Sequence, residues 1–198
     1  MPMNAARSPI VVVSGVPRSG TSLMMQMLRA GGMAAMTDDL RSADDDNPRG
    51  YLEFERVKQL RNDKAWLDDA EGKAVKIIHM LLAELPPDRE YRVIFMRRNL
   101  EEVVRSQAKM LEGAGKRGAA LAPEKLIAVF QAQIRQAESW MASNAGFQRL
   151  DVEYGQVIAS PRVQAERVAA FLGTPLNIDA MIEAVDPALH RNRAASGG

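Results

Sequence analysis

Residues 10–28 read IVVVSGVPRSGTSLMMQML, and this stretch decides the fold. Ile10–Val13 is an unbroken β-branched run, the pattern of a strand buried on both faces. From Thr21 to Ala30 the apolar residues Leu23, Met24, Met27 and Leu28 recur at helical spacing, and Gly31 with Gly32 supplies a stop signal. Between strand and helix lies a short turn bounded by Gly15 and Gly20.

Outward from this unit the same alternation continues. Buried strands are expected at Ala74–Ile78, Tyr91–Met96 and Phe147–Val152. Phe54, Val57, Leu60 and Leu67 form a rough helical stripe between Glu53 and Asp69, and Leu81–Leu85 reads as a short helix broken by Pro86 and Pro87. Asn99 with Glu102 three residues on resembles a capping box, opening a helix through Leu100, Val103, Val104, Gln107 and Leu111. A long helix is expected over Pro123–Ser143. Another starts at the Ser160–Pro161 cap and stops at Gly173, and a short one spans Asn177–Val185. Asp38–Gly50 and Gly113–Ala122 read as loops, and the tail frays from Ala194. Strands alternating with helices predict an α/β fold whose mainly parallel sheet is flanked by helices, with ligands at the carboxyl ends of the strands.

Composition narrows the function. The chain has 198 residues, and no linker-like stretch divides it, so one domain over 1–198 is expected. Lys plus Arg is 26 against 25 Asp plus Glu, which argues against a nucleic-acid-coating protein. Cysteine is absent, which removes disulfides, thiolate metal sites and a cysteine nucleophile. The early apolar run is too short for a signal-peptide core or a membrane span, so a cytoplasmic protein is expected.

The turn itself, GVPRSGTS over residues 15–22, has the glycine spacing of a P-loop, but Thr21 stands where the Walker lysine would be. A glycine loop opening a helix presents backbone N–H groups to an anion, aided by the helix dipole. Hydroxyls of Ser19, Thr21 and Ser22 add donors, and the Arg18 guanidinium can fork onto phosphate oxygens in place of the missing lysine. A Mg²⁺-dependent NTPase needs a further strand-end carboxylate. Asp151 is the nearest candidate, and it lies inside its strand. A second anion site follows the third strand. Arg98 stands at the sheet's carboxyl edge and Ser106 eight residues later, on a helix that turns back over the sheet. Two phosphate sites on one edge suggest a nucleotide with phosphates at both ends.

Together these blocks resemble the sulfotransferases that use 3′-phosphoadenosine 5′-phosphosulfate (PAPS). The family's 5′-phosphosulfate loop is matched by Pro17, Arg18, Ser19, Gly20 and Thr21, and its 3′-phosphate motif by Arg98, Asn99 and Ser106. His79–Pro86, HMLLAELP, looks like the family segment whose histidine is a catalytic base. Tyr154 to Pro161, continuing to Phe171-Leu172-Gly173, is similar to a block whose tyrosine lies near the adenine. Gly155 and Gln156 depart from that block's usual Glu-Asp. The basic cap of the eukaryotic cytosolic branch is absent, with only Arg191 and Arg193 as replacements. The chain looks more like the compact bacterial members, with NPRGYLEFE following the first helix.

The resemblance implies a P-loop-like three-layer fold, PAPS as donor, no metal, and a small-molecule hydroxyl or amine acceptor. Arg18 is the expected counter-charge. The base is open between His79, at the family's position, and Glu53 or Glu55, where other branches carry a glutamate. The Asp44–Asp46 run reads as a solvated loop. Two alternatives remain at this level: a P-loop kinase or nucleotide hydrolase, and a nucleotide-binding module without catalysis.

Overall fold

The computed structural model describes residues 7–38, 50–113 and 121–186. Its centre is a four-stranded, all-parallel sheet in the order β2-β1-β3-β4. The strands are β1 (Ile10–Gly15), β2 (Ala74–Lys76), β3 (Tyr91–Arg97) and β4 (Phe147–Glu153). β1 and β3 hold the middle of the sheet, and their runs IVVVSG and VIFM are fully buried, as a strand covered on both faces requires.

Side chains alternate between two apolar layers. Val11, Val13 and Ile94 face a layer with Met24, Met27 and Leu28 of α1 (Thr21–Ala30), together with Val157 of α4 (Tyr154–Ala159), Val168 of α5 (Pro161–Leu172) and Met181 of α6 (Ile178–Glu183). Ile10, Val12, Val93 and Phe95 face the other layer, with Leu60, Trp66 and Leu82 and with Ala137 and Met141 of the long helix over Pro123–Ala142, here α3. The helix after β3, α2 (Leu100–Gly113), joins α3 through Val103, Val104, Phe130 and Val16. The expected α/β fold with helices flanking a parallel sheet is what the chain adopts.

Several elements differ from expectation, each for a local reason. The stripe between Glu53 and Asp69 is not one helix but two short 3-10 helices, Glu55–Gln59 and Ala65–Leu67. Asp63 interrupts it: its carboxylate takes the Arg56 guanidinium at 2.8 Å and the Ala65 N–H at 3.2 Å, turning the chain between them. The segment before the two prolines is also a 3-10 helix, and it begins earlier, at His79. β2 is shorter than foreseen, although the Ile77 N–H still reaches the Val13 carbonyl at 3.0 Å. The short helix α4 was not expected. Asn99 caps α2 by accepting from the N–H groups of Glu101 (2.9 Å) and Glu102 (3.3 Å), but the Glu102 carboxylate does not close a capping box. It pairs with Arg98 Nε at 3.0 Å instead, because a charged partner outcompetes a neutral amide. At the end of α1 the left-handed residue is Gly32 (φ +95°), and the Met33 N–H reaches the Leu28 carbonyl at 2.9 Å, a Schellman closure. The acidic run 44–46, the tail and Arg191 with Arg193 lie outside the described residues.

Candidate active site

At the carboxyl edge of the sheet β1 runs into the glycine loop, and the geometry explains each glycine. A Cβ on Gly15 would lie 2.7 Å from the Met96 carbonyl oxygen and 2.5 Å from Ser19 Oγ. A Cβ on Gly20 would lie 2.5 Å from the Tyr154 ring, and Gly20 has φ +102°. Arg18 sits between them at φ +67°, a left-handed conformation that is strained for a residue with a side chain. The loop holds it there so that its side chain leaves the sheet edge. α1 then starts at Thr21 with no acidic residue in its first turn, so its leading N–H groups and positive end face the space above the loop.

The two motifs found separately in the sequence are tied together. Arg18 Nε donates to Ser106 Oγ at 3.0 Å. Arg98 Nη1 donates to the Arg18 carbonyl at 3.1 Å, and the Arg98 guanidinium lies 4.5 Å from the centre of the Tyr154 ring. Tyr154 thus packs on Gly20 with one face and meets Arg98 with its ring. Burial pushes its phenol above the usual range, partly offset by the Arg98 charge, so it is a neutral hydrogen-bonding group.

These residues line a cavity of about 590 Å³. Pro17, Arg18, Gly20, Thr21, Ser22, Arg98, Ser106 and Tyr154 line it, as do Glu53 and Glu55. Ser19 does not: its hydroxyl is fully buried beneath the loop, against Gly15, with no hydrogen-bond partner.

The three base candidates are placed very differently. Glu53 lies in the cavity, and its Oε1 is 3.0 Å from Lys76 Nζ. Glu55 is at the rim, half-exposed and paired with Lys58 at 2.7 Å. His79 is 2 % exposed and lines no part of the cavity. Its Nδ1 is 3.1 Å from the Gly15 carbonyl and its Nε2 is 3.0 Å from Gln133 Oε1 of α3. The backbone carbonyl of Gly15 only accepts, so Nδ1–H donates to the loop, while Nε2 faces the Gln133 side-chain amide, which offers either its oxygen or its NH2 according to how the amide is turned.

Lys76 was missed by the sequence reasoning. Its ammonium donates to the Tyr51 carbonyl (2.6 Å), to Glu53 (3.0 Å) and to Ser22 Oγ (3.3 Å), linking the edge strand to the start of α1. One signal was available: a lysine inside the apolar run AVKII, at the carboxyl end of a parallel strand. Asp151, weighed as a metal ligand for an NTPase, is instead the 2.8 Å partner of Arg97.

Glu53 is positioned by a crossing of the chain. Gln26 Nε2 donates to the Gly50 carbonyl at 2.9 Å, and Leu52 takes a left-handed φ of +48°. Leu52 packs into the layer beneath α1, whereas Phe54 packs with the layer on the opposite face. The segment 52–54 therefore passes over the sheet edge, with Glu53 between the two anchored apolar residues and lining the cavity.

The sulfotransferase-domain family model matches residues 8–192. No protein of curated function matches the sequence. Among solved structures, the sulfotransferase STF1 of Mycobacterium tuberculosis H37Rv superposes with a TM-score of 0.53 at 18% identity, covering 90% of this chain and 71% of that one. The sulfotransferase domain of the Synechococcus PCC 7002 olefin synthase gives 0.52 at 14% identity, with 98% and 92% covered. That of the curacin biosynthetic pathway gives 0.52 at 13% identity, with 90% and 78% covered. At these identities the likeness is one of fold.

Proposed function

The chain belongs to the sulfotransferase domain family, and from that premise we propose that it moves a sulfuryl group from PAPS to a hydroxyl or amine acceptor, with Glu53 as the base. The observation that carries this reading is the Arg18–Ser106 hydrogen bond with the Arg98–Arg18 contact. It supports the reading by bringing the two motifs expected to bind anions onto one cavity, with a carboxylate–ammonium pair beside them. The residues fit such a donor on two grounds. The backbone at Gly15 and Gly20 is bare because no Cβ fits there, and the donor set of guanidinium, hydroxyl and helix N–H groups suits oxyanions at two points.

When bound, PAPS supplies an activated sulfuryl group with adenosine 3′,5′-bisphosphate as its leaving group. The protein's part is to orient, to neutralise charge and to take one proton. Thr21, Ser22 and the N–H groups opening α1 would hold the 5′ end. Arg18 would meet the charge that builds on the leaving oxygens, and Arg98 with Ser106 would hold the 3′-phosphate. Glu53 would take the acceptor proton, its carboxylate oriented by Lys76. Thermal-shift titration tests the donor: adenosine 3′,5′-bisphosphate should stabilise the protein without Mg²⁺. A preference for Mg-ATP would make the protein a kinase or hydrolase instead. Bisphosphate binding with no transfer to any acceptor would make it a binding module.

The Arg98 side chain is only 9% exposed, so its bond to an anion is largely shielded from water. Losing a charge-assisted hydrogen bond costs ~1.5–3 kcal/mol. Arg98→Ala should therefore narrow the preference for the 3′,5′-bisphosphate over adenosine 5′-monophosphate by roughly ten-fold or more. An unaltered preference would put the 3′-phosphate elsewhere.

For His79 we propose a positioning role: its ring braces the loop carbonyl of Gly15 against Gln133 of α3. Asparagine can reproduce the Nδ1–H donor. His79→Asn should keep turnover within a few-fold of the parent, whereas His79→Ala should weaken bisphosphate binding and turnover together. A catalytic base would behave otherwise, with His79→Asn losing roughly 10²–10⁴ in rate at unchanged donor affinity.

A further inference from the structure

Most of the charge lining the cavity is already answered within the protein. Lys76 faces Glu53 at 3.0 Å, and Lys58 faces Glu55 at 2.7 Å. Arg98 faces Glu102 at 3.0 Å, and both of those side chains are nearly buried. Lys109 is different. It lines the cavity from α2, it is exposed, and among the described residues nothing bonds or pairs with its ammonium. Asp186, the remaining carboxylate of the lining, follows α6, which packs on the layer around α1, whereas α2 joins α3.

The position of Lys109 follows from the helix. Ser106, Lys109 and Met110 lie within one turn on a single face of α2, and all three line the cavity. Arg18 spans that turn, with Nε donating to Ser106 Oγ at 3.0 Å and Nη1 to Met110 Sδ at 3.8 Å. Lys109, the neighbour of Met110 in the chain, therefore lies near that end of the guanidinium proposed to meet the leaving oxygens. Arg98 precedes α2, and Lys109 lies about 13 Å along the helix axis from its first residue. With the donor's 3′ end assigned to Arg98 and Ser106, the ammonium one turn on is left for the other reactant.

Resting on the sulfuryl-transfer reading, we infer that Lys109 binds an acidic group of the acceptor, which is then a hydroxy acid or phenolic acid with its carboxylate at Lys109 and its hydroxyl at Glu53. A cation without a protein counter-charge draws an anion into a cleft and fixes its orientation. Glu53 does not oppose this, because Lys76 offsets its charge. In the transfer the acceptor oxygen bonds to sulfur, and the bond from sulfur to the 5′-phosphate oxygen breaks with its electron pair on that oxygen. The acceptor proton passes to the Glu53 carboxylate.

The test is calorimetric titration of the protein saturated with adenosine 3′,5′-bisphosphate, using three phenols of one shape: 4-hydroxyphenylacetate, neutral 4-(2-hydroxyethyl)phenol and cationic tyramine. The acid should bind about three-fold tighter than the neutral phenol and about ten-fold tighter than the amine, as one exposed ion pair allows. The preference should shrink as salt is raised. Lys109→Arg should keep this order and Lys109→Glu should reverse it. Lys109→Gln should level it while leaving the preference for the bisphosphate over adenosine 5′-monophosphate unchanged. Three phenols that bind alike to the parent protein, or none that binds at millimolar concentration, would overturn this inference while the donor reading stood. A Lys109→Gln variant that keeps the acceptor order would overturn it too, and if that variant loses the bisphosphate preference instead, Lys109 belongs to the 3′-phosphate. Failure of the bisphosphate itself to bind would overturn the donor reading and this inference with it.

Discussion

Glu53→Gln should cut the single-turnover transfer rate by roughly 10²–10⁴-fold while leaving the affinity for adenosine 3′,5′-bisphosphate within a few-fold of the parent. Glutamine keeps the length of the side chain and an oxygen for Lys76, which donates to Glu53 Oε1 at 3.0 Å. What it loses is the capacity to accept the acceptor's proton. The split between rate and affinity is the diagnostic part, because a residue that merely shaped the cavity would affect both. Glu55→Gln is the internal control. That carboxylate sits at the rim, half-exposed and held by Lys58, so its replacement should leave the rate unchanged. A rapid-quench measurement with labelled donor and an acceptor found by screening a library of alcohols, phenols and amines reads both variants. A Glu53→Gln enzyme running at the parent rate would remove Glu53 from the chemistry.

Arg18→Ala should damage binding and rate at once. The Arg18 guanidinium joins Ser106 of α2 to the loop, and its carbonyl receives Arg98. Removing it deletes the charge proposed to meet the developing anion and one of the links between the two motifs. The loss of a charge-assisted bond corresponds to roughly ten- to hundred-fold in bisphosphate affinity. Deleting a donor that acts on transition-state charge adds about 10²–10³ in turnover. The backbone works in the opposite direction: Arg18 holds φ +67°, and alanine is no better suited to it, so Arg18→Gly is the cleaner companion variant. Glycine relieves the strain while removing the same side chain. If Arg18→Gly binds the bisphosphate as tightly as the parent, the guanidinium has no part in the site. Circular dichroism and the melting temperature separate this outcome from unfolding.

The glycine loop and its flanks were legible because their chemistry is short-range. A β-branched run, two glycines that no Cβ can replace and a helical stripe of methionines lie within nineteen residues, and each acts on its immediate neighbours. The Arg98–Ser106 motif was legible for the same reason: both residues sit on one strand-to-helix connection, two helical turns apart. That these two blocks flank one cavity followed from the parallel sheet, whose carboxyl ends share an edge.

The choice among the bases was not legible, because it depends on which way a side chain leaves a segment whose conformation is set from outside. His79 opens a 3-10 helix where the sequence suggested a later start, and that turn directs its ring under Gly15 rather than into the cavity. Glu53 faces the cavity only because Leu52 and Phe54 are drawn into apolar layers on opposite faces of the sheet. Lys76 matters only because β2 pairs beside β1 in a register that sets Lys76 opposite Val13, close to the start of α1. Local pattern and glycine sterics therefore determined the fold and the glycine loop from the sequence alone. The placement of Glu53 in the cavity, its Lys76 partner and the burial of His79 were decided by tertiary packing, since burial of residues distant in the chain fixes which polar groups are left facing the cavity.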